Sequence, residues 1–234
     1  MDTERLKEQA AERAVEFIES GMVVGLGHGS TTAYALQRIA DLIHKEQLSD
    51  IYGIPCSLEV ESEALRLRIP LTTLEDQPVI DLTIDGADEI DPSLNLIKGG
   101  GGALLREKIV AQTSRREIII ADESKLSSAL GTHWPVPVEV VPFGWQSQAR
   151  FIESLGAEVV LRQADDEMPF RTDYNNLVLD CRFGPIADTV GLARQLEGRA
   201  GIVEHGLFLG LATDVIVATA EGIRHLKPAS EGDS

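Results

Sequence analysis

Four short apolar runs, Met22–Leu26, Ile51–Pro55, Val79–Asp85 and Glu117–Ala121, alternate with stretches of helical apolar spacing. Leu6, Ala10, Ala14, Phe17 and Ile18 recur at helix intervals over residues 3–20. Further helices are predicted over residues 30–45, Leu58–Arg68 and Ala103–Ser114. Strand and helix in strict alternation bury their apolar faces best as a parallel sheet covered by helices on both sides. The fold class predicted is therefore α/β, with a Rossmann-like parallel-sheet core. Apolar residues make up 43% of the chain but aromatic ones only 5%, so that core must be aliphatic.

Beyond about residue 132 the order changes. Val138–Val141, Glu158–Arg162, Asn176–Cys181 and Gly201–Glu204 read as strands, with helices at Trp145–Leu155 and Asp188–Leu196. The order β-α-β-β-α-β is that of a ferredoxin-like unit. The expected division is an α/β catalytic core over residues 1–132 and a smaller α+β ferredoxin-like domain over 133–205. Residues 206–234 would return to the core sheet, through Leu207–Leu211 and Thr213–Thr219, and end in a polar tail from Pro228 to Ser234.

With 21 basic and 38 acidic residues the formal net charge is −17. Nucleic acids and anionic membranes are poor partners for such a surface, because both require a basic patch. A small anion needs a local site built from lysines, helix N-termini and backbone N–H groups. The charged N-terminus lacks the apolar run of a signal peptide, and nothing approaches the ~20 apolar residues of a membrane span, so a cytoplasmic location is expected. Cys56 and Cys181 form no CxxC pair, and the five histidines show no metal-ligand spacing.

Candidate chemistry gathers where strands end. Gly25-Leu-Gly-His-Gly-Ser-Thr-Thr32 follows a strand and opens a helix, where Ser30 is a suitable cap. Glycines admit a ligand close to the backbone, and helix N-terminal N–H groups hold anions. The dinucleotide fingerprint fails because its third glycine falls on Ser30. Asp85-Gly-Ala-Asp-Glu-Ile-Asp91 also follows a strand, at the edge where open α/β sheets bind ligands. Its acids suit sugar hydroxyls or proton transfer, although an acidic turn would look the same. Lys98 precedes four consecutive glycines, which cost conformational entropy and so suggest a backbone-lined ligand surface. Glu107 lies one helical turn into the segment that follows, where it can point back toward the glycines or belong to a solvated face. Lys125, after the fourth strand, and Lys7, on the first helix, are weak phosphate cations when taken singly.

The segments GHGSTTAYAL, DGADEID, IKGGGGALLREKIVA, IADESK, VEVVPF and GIVEHGLF occur in the order of the type A ribose-5-phosphate isomerases, which the chain resembles over about residues 5–225. The resemblance implies interconversion of D-ribose 5-phosphate and D-ribulose 5-phosphate, with Glu107 as the general base. It implies a substrate site lined by His28, Gly29, Ser30 and Thr31, by Asp85, Gly86, Ala87 and Asp88, and by Lys98, Gly99, Gly100 and Gly101. Lys7 and Lys125 would hold the phosphate. Asp85, with Asp88, is the candidate for opening the sugar ring. Lys98 and the Gly99–Gly102 N–H groups are candidates for stabilising the enediolate. No metal or organic cofactor is implied, and the assembly implied is a homodimer or a dimer of dimers. The sequence departs from the family at His28, where threonine is usual, and at Thr172-Asp-Tyr-Asn-Asn176, where the family carries TDNGN. A non-catalytic sugar-phosphate sensor and a nicotinamide dehydrogenase are the rival readings.

Overall fold

The computed structural model describes residues 3–228. The first elements are α1 (Thr3–Val15), β1 (Val23–Leu26), α2 (Ser30–His44), β2 (Tyr52–Pro55), α3 (Leu58–Arg66) and β3 (Leu82–Asp85). Next come β4 (Glu89–Ile90), β5 (Leu96–Ile97), α4 (Leu104–Thr113), β6 (Glu117–Asp122), a 3₁₀ turn at Glu123–Lys125, and β7 (Val136–Val140). They are followed by α5 (Trp145–Ser154), β8 (Glu158–Leu161), β9 (Leu177–Arg182), α6 (Thr189–Glu197), β10 (Ile202–His205), β11 (Leu207–Phe208), β12 (Asp214–Thr219) and β13 (Gly222–Leu226). Among the described residues no helix is long and apolar enough to cross a membrane. The tail beyond Pro228 lies outside them.

Two compact units form. The first comprises the described residues up to Ala87, Arg106–Lys125, and those from Gly210 onward. Its six-stranded sheet has the order β13-β12-β6-β3-β1-β2. Every neighbouring pair is parallel except β12 with β13. A parallel sheet covered on both faces calls for unbroken apolar strands, and β1, β3, β6 and β12 are buried along their whole length. The core is aliphatic, as composition requires: Val24, Leu26, Ile54, Ile84, Ile118, Ile120 and Ile216 pack with Ala10, Ala11 and Ala14 of α1 and Ile39 of α2. α1 stops short of the expected residue 20. The N–H groups of Phe17 and Ile18 donate three residues back, to Ala14 and Val15, and Gly21 then takes φ 88°. β1 has β2 on one side and β3 on the other, so the chain leaves the sheet in opposite directions there. That reversal is where doubly wound sheets open a crevice at their carboxyl edge.

Asp214 at the start of β12 fixes the far side of this sheet. Burial would push its carboxyl up, but hydrogen bonds from Arg116, His225 and Thr213 outweigh burial and hold it well below the usual carboxylate range. A depressed folded-state pKa contributes stability above the unfolded value and loses it as pH falls toward the folded one. Asp214→Asn should cost about 1.5–3 kcal/mol at neutral pH, the usual worth of hydrogen bonds to charged groups. Thermal melts of the two proteins should converge as pH falls below about 4, the unfolded aspartate value. A deficit that stays constant down to acid pH would exclude an electrostatic origin.

The second unit comprises Asp88–Leu105 and Leu126–Leu209. Its elements run β7-α5-β8-β9-α6-β10, and its antiparallel sheet has the order β10-β7-β9-β8, the ferredoxin-like arrangement. Val136, Val138 and Val140 form its core with Ile152, Leu177, Leu179, Leu192 and Leu196. A separate three-stranded sheet, β11-β5-β4, belongs to the same unit. Residues 88–105 therefore group with the second unit and not with the α/β core, because β4 and β5 spend their hydrogen bonds on each other and on β11. Leu207–Leu211 likewise departs from the expectation. β11 pairs with β5, and only Asp214–Thr219 returns to the main sheet.

The Thr172–Asn176 turn is closed by its own backbone, Thr172 N–H donating to Asn176 O at 3.1 Å and Asn175 N–H to Thr172 O at 2.8 Å. Asn175 takes φ 61°, a left-handed conformation that asparagine tolerates better than most residues. Thr172 Oγ1 and Asn176 Nδ2 donate to Glu139 Oε1 at 2.8 and 2.9 Å. Burial pushes that carboxyl up in spite of both bonds.

Candidate active site

In the first unit, the parallel strands β1, β2, β3 and β6 deliver Gly27–Ser30, Cys56, Asp85 and Lys125 to one edge of the sheet. The β1–α2 turn lies directly against the end of β3. A Cβ on Gly27 would fall 2.4 Å from Asp85 Oδ1 and 2.5 Å from its Cα, so only glycine permits this approach. Gly27 N–H donates to Ile84 O at 3.0 Å. His28 N–H and Gly86 N–H both donate to Asp85 Oδ1, at 3.1 and 2.7 Å. Asp85 is fully buried, and these two donors fix the plane of its carboxyl group.

The helix cap differs from expectation. Gly29, not Ser30, is the N-cap of α2, with φ 126° and ψ 173° and no side-chain cap bond. A serine side chain could cap only from an extended backbone, whereas the chain enters α2 through a conformation that favours glycine. Ser30 thus becomes the first helical residue, exposed, with Thr31 half-buried beside it. The His28 imidazole pairs through Nε2 with Glu59 Oε2 at 3.1 Å.

Glu107 occupies the first turn of α4 and is only 4% exposed. The solvated-face reading is therefore excluded for it; the neighbouring Lys108 is also buried, at 6% exposure. One oxygen each from Asp85 and Glu107 and the Cys56 sulfur lie within 4.8 Å of one another. Arg106 donates from Nη2 to Pro55 O at 3.0 Å, tying α4 to the end of β2. Lys7 is half-buried on α1 and meets Glu4 at 2.8 Å; Glu4 in turn accepts from Tyr34 Oη on α2 at 2.7 Å. Lys125 closes the 3₁₀ turn after β6, half-buried, where Asp122 Oδ1 accepts Ser124 N–H at 2.9 Å.

The second unit carries the remaining predicted residues. Lys98 is 2% exposed, with Nζ 5.6 Å from the centre of the Phe208 ring. Asp88 Oδ2 accepts Gly100 N–H at 2.7 Å, and a Cβ on Gly100 would meet Asp88 Oδ1 at 2.6 Å. Gly102 N–H donates to Gly99 O at 2.9 Å. Two of the four glycine amides proposed for the enediolate are thus committed inside the loop. Arg162 was not legible as a loop residue, yet its Nη1 donates to Gly99 O and Gly100 O at 2.9 and 3.0 Å. Asp180 holds the same guanidinium through two bonds. Glu89 and Asp91 of the acidic segment are structural. Glu89 accepts the N–H groups of Gly131, His133 and Trp134, and Asp91 accepts those of Ser93 and Asn95.

The first unit is thus a doubly wound α/β sheet with a buried carboxylate pair at its carboxyl edge, where proteins of this class bind their ligands. The family model for ribose 5-phosphate isomerase A (phosphoriboisomerase A) matches residues 52–222. The ribose-5-phosphate isomerase A of Chloroflexus aurantiacus is 56% identical over 230 residues, covering 98% of this chain and 96% of that protein. That of Desulfatibacillum aliphaticivorans is 58% identical over 224 residues, covering 96% and 97%. A D-ribose-5-phosphate isomerase solved in complex with phospho-erythronic acid superposes with a TM-score of 0.95 at 38% identity, covering 97% of this chain and all of that one. The chain belongs to the ribose 5-phosphate isomerase A family.

Proposed function

We propose that this chain interconverts D-ribose 5-phosphate and D-ribulose 5-phosphate, with Glu107 as the single base. The observation that carries the reading is the burial of Glu107 against Asp85, a carboxylate pair that a sugar-phosphate sensor would have no use for. The sugar ring opens first: the anomeric hydroxyl gives up its proton, the ring oxygen gains one, and Asp85 mediates the transfer. Glu107 then takes the proton from C2 of the aldehyde, leaving a cis-enediolate with its negative charge on O1; the O2 hydroxyl proton passes to O1, and Glu107 returns its proton to C1 as the C2 oxygen becomes the ketone. One carboxylate suffices because C1 and C2 present the same face of the planar intermediate. Triosephosphate isomerase, which carries out the corresponding exchange on a three-carbon sugar phosphate, likewise relies on a glutamate base. Lys98 supplies positive charge to the enediolate oxygen. Asp88 and Arg162 shape the glycine loop that follows it. The phosphate, remote from the reacting carbons, binds at the His28–Thr31 turn with Lys7 and Lys125 and so contributes orientation. The phosphorylated sugar acid held by the structural relative is an anion of this kind.

The test is incubation with ribose 5-phosphate after exhaustive EDTA treatment and without nucleotide, following ketose formation. Undiminished turnover is expected; dependence on an added divalent ion or nicotinamide would overturn the cofactor-free mechanism. The assembly proposed is a homodimer or dimer of dimers, which sedimentation velocity reads directly.

The phosphate assignment has its own test. With a net charge of −17, anion binding must be local, so single cations should matter. Lys125→Ala should raise KM for ribose 5-phosphate by roughly tenfold, the equivalent of about 1.4 kcal/mol. Residual turnover of unphosphorylated ribose should be unchanged. Equal losses on both substrates would remove Lys125 from the phosphate site.

A further inference from the structure

We propose that Cys56, Asp85 and Glu107 also form a binding site for a thiophilic divalent cation such as zinc, and that occupation of this site switches the enzyme off. Three donor atoms from three separate elements converge: the Cys56 sulfur beyond β2, an oxygen of Asp85 at the end of β3, and an oxygen of Glu107 in α4. All lie within 4.8 Å of one another, and all three residues are buried. Zinc–sulfur and zinc–oxygen bonds of about 2.3 and 2.0–2.2 Å place tetrahedral donors about 3.5 Å apart, so the side chains need to draw in by about 1 Å. Glu107 has the rotatable bonds to do so. Asp85 need not move, because the N–H groups of His28 and Gly86 already orient its carboxyl group, the kind of outer support that metal ligands require.

The donor set decides which ion fits. Magnesium and calcium demand shells of about six to eight oxygens, and a sulfur donor is foreign to both. One sulfur and two carboxylate oxygens suit zinc, cadmium or cobalt, with the fourth position left to water. Binding releases a proton: the Cys56 thiol loses it as the sulfur–metal bond forms, and no electrons are transferred. Two carboxylates and a thiolate carry three negative charges against two positive ones, which favours capture of the cation. Cys181 is no competitor, because it lies in the ferredoxin-like unit and, among the described residues, is not part of the group of converging donors.

The inhibitory part of the proposal rests on Glu107 being the base. A carboxylate oxygen bound to a cation cannot accept a proton from C2, so ion and sugar phosphate should exclude each other. Access follows from the same reading, since a base that meets substrate is reachable by a hydrated ion.

The metal-stripped full-length protein should be titrated with cadmium while following thiolate-to-metal charge-transfer absorption. The wild type and Cys181→Ser should show the band, and Cys56→Ala and Cys56→Ser should not. Glu107→Gln should weaken cadmium binding by roughly tenfold or more, as loss of ligand support does. In isomerase assays zinc should inhibit competitively and reversibly by EDTA. Cys56→Ala should keep its turnover and lose at least roughly tenfold of its zinc sensitivity, in line with the loss of a ligand. A wild type without the band, or a band that survives Cys56→Ala, overturns the site. Equal zinc inhibition of wild type and Cys56→Ala overturns the switch. A normal cadmium band in a protein that does not isomerise ribose 5-phosphate would leave the site standing and sink the proposed function instead.

Discussion

Glu107→Gln should lower kcat by roughly 10²–10⁴, the usual worth of general base catalysis. Glutamine keeps the size and most of the hydrogen bonding of glutamate but takes no proton at neutral pH. Because Glu107 is 4% exposed, a role as a surface ion-pair residue, worth about 0–1 kcal/mol, does not apply to it. What must be separated is a base from a buried structural acid. A structural acid, once replaced, lowers the melting temperature and disturbs KM with kcat largely kept. A base leaves binding and stability nearly as they were, and the loss falls on kcat. Solvent exchange sharpens the distinction. Deuterium should enter ribose 5-phosphate at C2 in the wild type and fail to enter in Glu107→Gln, since exchange and turnover share the same proton abstraction. A variant that has stopped turning over but still exchanges would move the base elsewhere, with Asp85 the nearest alternative.

The parts of the molecule legible in the sequence are those set by local pattern. Strand–helix alternation over residues 22–121 defined the parallel sheet because both faces of each strand are buried. The β-α-β-β-α-β order after β6 defined the ferredoxin-like unit, although its strands β8 and β10 are only partly buried. Pairings between distant short segments were not legible. β4 and β11 are two residues long, too short to show a period, and only their hydrogen bonds to β5 reveal where they belong. β13 was not legible because Gly222–Leu226 has no apolar run and is mostly exposed. Among the site residues, the motifs carry His28, Asp85, Asp88, Lys98 and Glu107, and the resemblance implies a role for each, but their local bonding was not legible. That Gly29 caps α2 depends on a φ of 126°, a backbone property that a cap-forming serine one position later obscured. That Asp88 is bonded to Gly100 depends on a twelve-residue loop closing on itself. Cys56 and Arg162 belong to no spacing pattern. Their roles come from tertiary convergence, at the carboxyl edge of the sheet and at the glycine-loop carbonyls respectively.

Lys98→Met should reduce kcat by about 10²–10³, the cost of removing one preorganised donor from a developing oxyanion. Methionine retains an unbranched apolar stem of similar length and deletes only the charge. At 2% exposure the Lys98 ammonium is shielded from bulk water, and a charge so placed acts on a nearby oxyanion far more strongly than one in solvent. On the proposed mechanism it would require no reorganisation, because Lys98 is held at both ends. Its N–H donates to Gly206 O at 2.9 Å, and its Nζ stands over the Phe208 ring. The effect should differ in kind from that of Glu107→Gln. Enediolate formation is slowed but its base survives, so C2 deuterium exchange should fall in proportion to turnover and remain detectable. Lys98→Arg should restore little, since a planar guanidinium does not reproduce a compact ammonium. If Lys98 held only the ground-state sugar, the variant would raise KM and spare kcat at saturation. That outcome, with full exchange at saturating ribose 5-phosphate, would move enediolate stabilisation from Lys98 to other donors.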